Sequence, residues 1–161
     1  MKRPIIGDII EIETPSGLAY AQLSQVDRQF GHLLRVLPGL FKDRPESFSD
    51  LVNLKERFYA FFPLSAALAK SIVKRVANES VPTWAQKFPL MRKAGWRDES
   101  GKVLNWWLWD GEREWSVDSL TPEQESLSLA QIWNDTLLIQ RIVENWSPSN
   151  SPSDQSANKQ T

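Results

Sequence analysis

Residues 106–115 read Trp-Trp-Leu-Trp-Asp-Gly-Glu-Arg-Glu-Trp, which places four of the chain's eight tryptophans within ten positions. Asp110-Gly111 between two stretches of aromatic and branched residues is a strong hairpin signal, because a type I′ turn needs positive φ at both central positions. A two-residue loop sets Trp109 opposite Glu112, Leu108 opposite Arg113, Trp107 opposite Glu114 and Trp106 opposite Trp115. Alternation along the strands then collects Leu104, Trp106, Leu108, Trp115 and Val117 on one apolar face. The other face sets Trp107 and Trp109 against Glu112 and Glu114. A face of that kind calls for a cover from elsewhere in the fold or for a partner, and it is the best clue to recognition in the chain.

Short strands dominate the first part of the chain. Residues 8–13 alternate, with Ile10 and Ile12 on one side and Glu11 and Glu13 on the other, predicting a strand with one wet face. Thr14-Pro15-Ser16-Gly17 reads as a turn, residues 18–26 as a second strand, and residues 32–37 as a third closed by Pro38-Gly39. Residues 57–62 are aromatic and strand-like, Pro63 opens a short helix over 64–70, and residues 72–77 return as a strand. Pro82 starts a helical turn carrying Trp84, whereas 88–96 has no periodicity to assign. Thr121-Pro122-Glu123-Gln124 has capping-box spacing. Asn134-Asp135 caps a helix over 136–146 whose stripe is Leu138, Ile139, Ile142, Val143 and Trp146. The Ser-, Asn-, Gln- and Pro-rich stretch 147–161 lacks the apolar side chains needed to offset its ordering entropy and is read as a disordered tail. The fold class is therefore α+β over residues 1–146, one domain: a twisted antiparallel sheet or partly open small barrel, a few short helices and a C-terminal helix.

Composition narrows the chemistry. With 41% hydrophobic and 24% charged residues the chain has the make-up of an ordinary globular protein. Without cysteine there are no disulfides, thiolate metal sites or cysteine nucleophiles. Asp8 interrupts the N-terminal region too early for a secretory signal, and no apolar run reaches the roughly 20 residues of a membrane span. A cytoplasmic protein with no membrane partner is expected. The net charge of −1 is unevenly spread: ten Lys and Arg face five Asp and Glu over 42–93, while eight acidic residues face only Lys102 and Arg113 over 98–125.

Catalytic signatures are sparse. His32 is the single histidine, Gly-x-Ser-x-Gly is absent, and no serine is placed beside His32 by the pattern. One histidine and no cysteine argue against zinc. The nearest carboxylates for magnesium or calcium are Asp110, Glu112, Glu114 and Asp118, at a spacing that any exposed strand shows, so neither metal nor cofactor is expected. Glycine-rich phosphate loops are missing. The densest aromatic segment is the acidic one, which argues against nucleic acid, with Lys70, Lys74 and Arg75 as a weak counter-signal. Trp146 and Trp133 read as core and helix staple, and Trp84 and Trp96 as plugs beneath loops.

Several segments together form a recognisable pattern: Gly7-Asp8-Ile9-Ile10-Glu11-Ile12 with Gly17-Leu18-Ala19-Tyr20-Ala21-Gln22; Phe30-Gly31-His32-Leu33-Leu34-Arg35-Val36; Phe61-Phe62-Pro63-Leu64; Trp107-Leu108-Trp109-Asp110-Gly111; and Trp133-Asn134-Asp135-Thr136-Leu137-Leu138. Over residues 5–146 this resembles the immunity protein 26 family of bacterial polymorphic toxin systems, some of whose relatives carry a phosphotriesterase label. The resemblance implies a small protein that binds and blocks a cognate toxin, and it transfers no catalytic residues.

The resulting expectation is a non-catalytic binding protein whose partner surface is Trp107, Trp109, Asp110, Glu112, Glu114 and Asp118. The tryptophans would anchor, while the carboxylates would steer a basic toxin such as a nuclease. A small hydrolase acting on phosphotriesters or related esters through His32 is the alternative, and a carbohydrate- or peptide-binding module the third reading.

Overall fold

β1 (Asp8–Thr14) and β2 (Gly17–Asp27) pair antiparallel in a register that sets Thr14 opposite Gly17, leaving Pro15 and Ser16 as the loop. Gly17 takes φ +134°, and Thr14 Oγ1 donates to its carbonyl at 2.7 Å. β3 (Gly31–Val36) and β4 (Phe58–Phe61) extend this sheet on one side and β5 (Lys74–Asn78) on the other, in the order β4-β3-β2-β1-β5. The structure, a computed structural model, describes residues 2–150. Among these the chain divides into two units, residues 2–87 with 131–146 and residues 88–130 with 147–150.

The first unit holds the five-stranded sheet together with α1 (Leu64–Ala69), α2 (Thr83–Gln86) and α4 (Asp135–Val143). β1 departs from its predicted wet face. Ile10 and Ile12 are buried as expected, but so are Ile9 and Glu11 on the opposite side. The connection after β3 covers that side, packing Phe48, Leu51 and Val52 against Ile9, Tyr20 and Leu37. Glu11 is tolerated there because Tyr20 Oη donates to it at 2.8 Å and Arg44 donates twice, at 2.7 and 3.0 Å. These bonds, led by Arg44, hold its carboxyl below the usual carboxylate range against the desolvation that opposes them.

Asn134 caps α4 through its side chain, which accepts from Leu137 N at 2.8 Å. The helix buries Leu138 and Ile142, whereas Val143 of the predicted stripe is 37% exposed. Trp146, beyond the helix, is buried instead and meets Phe58 and Trp133 at ring-centroid distances of 5.2 and 5.4 Å. The outer edge of β4 is covered at its C-terminal end: Ile132 forms a parallel bridge to Phe61, and Trp133 N donates to Phe61 O at 2.9 Å.

The second unit holds a three-stranded antiparallel sheet of β6 (Met91–Ala94), β7 (Trp106–Trp109) and β8 (Glu114–Val117), in the order β6-β7-β8, with the short α3 (Pro122–Glu125). β6 lies within the stretch that had no sequence assignment. Both halves of the capping box form at α3: Thr121 Oγ1 accepts from Gln124 N, and Gln124 Oε1 accepts from Thr121 N. Within the expected tail, Pro148–Asn150 forms a 3-10 turn with Pro148 buried, while 151–161 lies outside the described residues. The architecture is α+β with two open antiparallel sheets and no closed barrel. No helix among the described residues is long and apolar enough to cross a membrane.

Candidate partner-binding surface

The hairpin forms at Asp110-Gly111 with a longer loop than the type I′ reading requires. Trp106 pairs with Val117, Trp107 with Ser116, Leu108 with Trp115 and Trp109 with Glu114, so residues 110–113 make the connection. Asp110 imposes this length. Its carboxylate accepts from the backbone N–H groups of Arg113 (2.7 Å) and Glu112 (2.9 Å), an Asx turn that replaces the two-residue loop. The same two bonds, Arg113's first, hold its carboxyl below the usual carboxylate range. Gly111 takes φ +97°, and a Cβ there would lie 2.6 Å from the Phe88 ring. The register therefore slips by two residues, and a slip of two preserves the faces where a slip of one would exchange them.

Only part of the tryptophan–carboxylate face is open. Phe88 packs edge-on against Trp109 at 4.9 Å, leaving Trp109 9% exposed, so the chain itself supplies the cover over this ring. Trp107 is half-buried. Glu114 is exposed but forms an ion pair with Lys93, whose ammonium also stands 5.3 Å from the Trp109 ring centroid. Glu112 and Asp118 are exposed, while Asp110 is engaged in the turn.

The opposite, apolar face, which the sequence reading left out of the partner surface, also carries exposed aromatic side chains. Its centre is buried: Trp106 is 5% and Leu108 1% exposed, beside a wholly buried Arg92. Arg92 Nε and Nη2 donate to the carbonyls of Leu127 and Pro148 at 3.0 and 2.8 Å, and its guanidinium stands 4.8 Å from the Trp106 centroid. Burial pushes its pKa down to about 10, which leaves it charged near neutrality. At the rim, Trp115 is 40%, Leu104 53% and Trp96 77% exposed, so Trp96 plugs no gap. Trp84, in the first unit, is likewise half-exposed. A cavity of about 500 Å³ opens beside Trp106 and Leu104, and Asp118, Glu125 and Lys102 stand on its walls.

The two edges of this sheet differ. β6 is covered, because its Arg92 N donates to Ser128 O at 3.0 Å and its Arg92 O accepts from Ala130 N at 2.9 Å. β8 pairs with β7 alone, and among the described residues no backbone group bonds to its outer side. The described part of this unit carries eight Asp and Glu against five Lys and Arg, whereas that of the first carries eleven against thirteen.

His32 lies in the first unit, opposite Val26 on β3, half-buried and without a side-chain hydrogen bond among the described residues. Desolvation lowers its pKa. The unfolded chain, with an imidazole near pH 6.5, then takes up the proton more readily than the folded one. The stability this neutral histidine contributes is complete above the unfolded pKa and is lost as pH falls through and below it. Thermal unfolding followed by circular dichroism from about pH 7 to about pH 5.5 should show a falling Tm, and His32→Gln should remove part of that fall. Among the described residues no group of three or more His, Cys, Asp and Glu side chains could hold a metal ion. No family model, curated protein or solved structure matches the chain.

Proposed function

We propose that this chain is a non-catalytic binding protein that neutralises a cognate toxin by direct contact, with the β8 edge as the contact surface. The observation that carries the reading is one unpaired strand edge bearing half-exposed Trp115 and bordered by exposed Glu112, Glu114 and Asp118. An open edge strand is a template for an added strand of a partner, in which main-chain bonds supply affinity and side chains supply selectivity. Tryptophan suits an anchor because it buries a large area with few rotors. Trp115 takes the role first given to Trp109, whose ring is covered by Phe88. The acidic excess of this unit favours a basic partner through long-range steering. The toxin part of the proposal rests on the resemblance to immunity proteins.

Affinity capture of the tagged chain from its source organism, followed by co-expression with the captured protein, tests the reading. One partner in near-equal amount, toxic alone and harmless beside this chain, is the expected result. A captured protein whose toxicity the chain leaves unchanged overturns it, as does capture of nothing while the toxin is expressed. Against that partner, Trp115→Ala should weaken binding by about 2 kcal/mol, roughly 30-fold. Replacing Glu112 and Glu114 by Gln and Asp118 by Asn should slow association about tenfold at low salt and leave dissociation nearly unchanged.

A further inference from the structure

Lys2, Arg3, Lys74 and Arg75 of the first unit line two adjoining open grooves, of about 540 and 400 Å³, that share Lys2 and Arg75. Lys2, Arg3 and Lys74 are exposed there, and each groove is within the size range of small-molecule sites. The carboxylate in the lining, Asp8, is only 2% exposed at its side chain and already engaged. It accepts from Ile5 N at 2.9 Å and Asn78 Nδ2 at 3.0 Å and lies 3.4 Å from Arg75 Nε. Arg75 is held in place by Asp8 and by its own bond to Lys2 O at 2.6 Å, so its guanidinium is oriented before any ligand arrives. Lys74 has Glu13 at 3.6 Å, with both side chains more than half exposed. β5, which runs along the grooves, is the terminal strand of its sheet, and its outer backbone groups have no backbone partner among the described residues.

Ser71 adds an independent observation. α1 ends in a Schellman motif, with Ser71 N donating to Leu68 O at 3.1 Å and Ile72 N to Ala67 O at 2.9 Å. The motif places Ser71 at φ +59°, a left-handed conformation that glycine adopts without strain and serine does not. Its side chain lines the second groove and makes no hydrogen bond among the described residues. Ser71 is exposed, and the motif holds its hydroxyl beside three cations, where it can donate to a ligand that accepts hydrogen bonds. Ile5, Val76 and Ala77 add an apolar wall to the first groove.

We propose that these grooves bind a small anion bearing two phosphate groups, held by Lys2, Arg3, Lys74, Arg75 and the Ser71 hydroxyl. Guanidinium and ammonium groups donate charge-assisted hydrogen bonds to phosphate oxygens, and the hydroxyl completes the set. The test is a titration of the whole chain with inorganic pyrophosphate, followed through backbone amide shifts in NMR spectra. Shifts should concentrate at Lys2, Arg3, Ser71, Lys74 and Arg75. Changing Lys2, Arg3 and Lys74 together to Gln should weaken binding about tenfold or more, while the same change at Lys42, Lys55 and Lys87 should leave it within about twofold. Ser71→Gly should weaken binding and leave Tm equal or higher, a combination that a purely structural serine cannot produce. Equal losses in the two charge variants overturn the proposal, as does the absence of saturation below about 10 mM. A single-stranded oligonucleotide that shifts the same amides at far lower concentration than pyrophosphate overturns it too, by making a nucleic-acid backbone the ligand.

Discussion

Arg35→Ala should destabilise the first unit by about 3–5 kcal/mol in equilibrium denaturation, the cost of removing one partner from a buried ion pair. Arg35 is fully buried on β3 and has four acceptors. Its Nε donates to Glu56 at 2.8 Å, Nη1 to Gln22 Oε1 at 2.6 Å and Val52 O at 3.0 Å, and Nη2 to Leu54 O at 2.9 Å. The Trp84 ring centroid lies 5.9 Å from the guanidinium. Truncation leaves a carboxylate that is 6% exposed, a buried amide oxygen and two backbone carbonyls without their donor. The charge is only part of this. Arg35→Lys keeps it but offers a compact ammonium in place of a planar fork, so it should recover less than half of the loss. Adding Glu56→Gln to Arg35→Ala should restore part of the stability, because Arg35→Ala leaves Glu56 with the exposed Lys55 at 3.9 Å as its ion-pair partner, a coupling that a double-mutant cycle reads directly. A loss below about 1 kcal/mol for Arg35→Ala would mean that water takes the guanidinium's place.

Arg35 also marks where the sequence stops being informative. β1, β2 and β3 fall within a residue of their predicted bounds, because alternation and the Thr14-Pro15-Ser16-Gly17 turn are local signals. The capping box at Thr121 and the cap at Asn134 are equally local. By contrast, the burial of Arg35, Glu11 and Arg92 depends on groups distant in sequence: carbonyls at 52 and 54, Arg44 in the connection after β3, and carbonyls at 127 and 148. β6, Met-Arg-Lys-Ala, looks polar for the same reason. At the candidate surface, alternation correctly sorted the residues onto two faces, but a face is not a depth. Trp115 shares its face with buried Leu108 and remains half-exposed because β8 has no outer neighbour, and Trp109 is covered by a phenylalanine from before β6. Glu112, Glu114 and Asp118 were legible as an acidic group, but their exposure and Asp110's engagement in its own turn became visible only with the structure.

Trp133→Ala should cost about 3–5 kcal/mol, the range for deleting a large buried aromatic side chain. Trp133 is 1% exposed and makes tilted and edge contacts with Phe58 and Trp146, each at 5.4 Å. Its loss would open a cavity between α4 and the β4 edge that its own backbone helps to cover. A second consequence concerns Arg141, whose guanidinium lies against both indoles, 4.6 Å from the Trp133 centroid and 4.2 Å from that of Trp146. Among the described residues its Nη1 is buried without a hydrogen-bond partner, and burial lowers its pKa, so the ring faces carry much of the compensation for a partly desolvated cation. Removing Trp133 takes away one of those faces. In an Arg141→Met background the same truncation should therefore cost less, by about 1–2 kcal/mol, if the desolvated cation–π contact contributes at its usual strength. Trp133→Phe, which keeps an aromatic face over Arg141, should retain most of that coupling while losing packing volume. Additive losses in the cycle would mean that the guanidinium only packs against the rings, and that α4 is held to the sheet by packing alone.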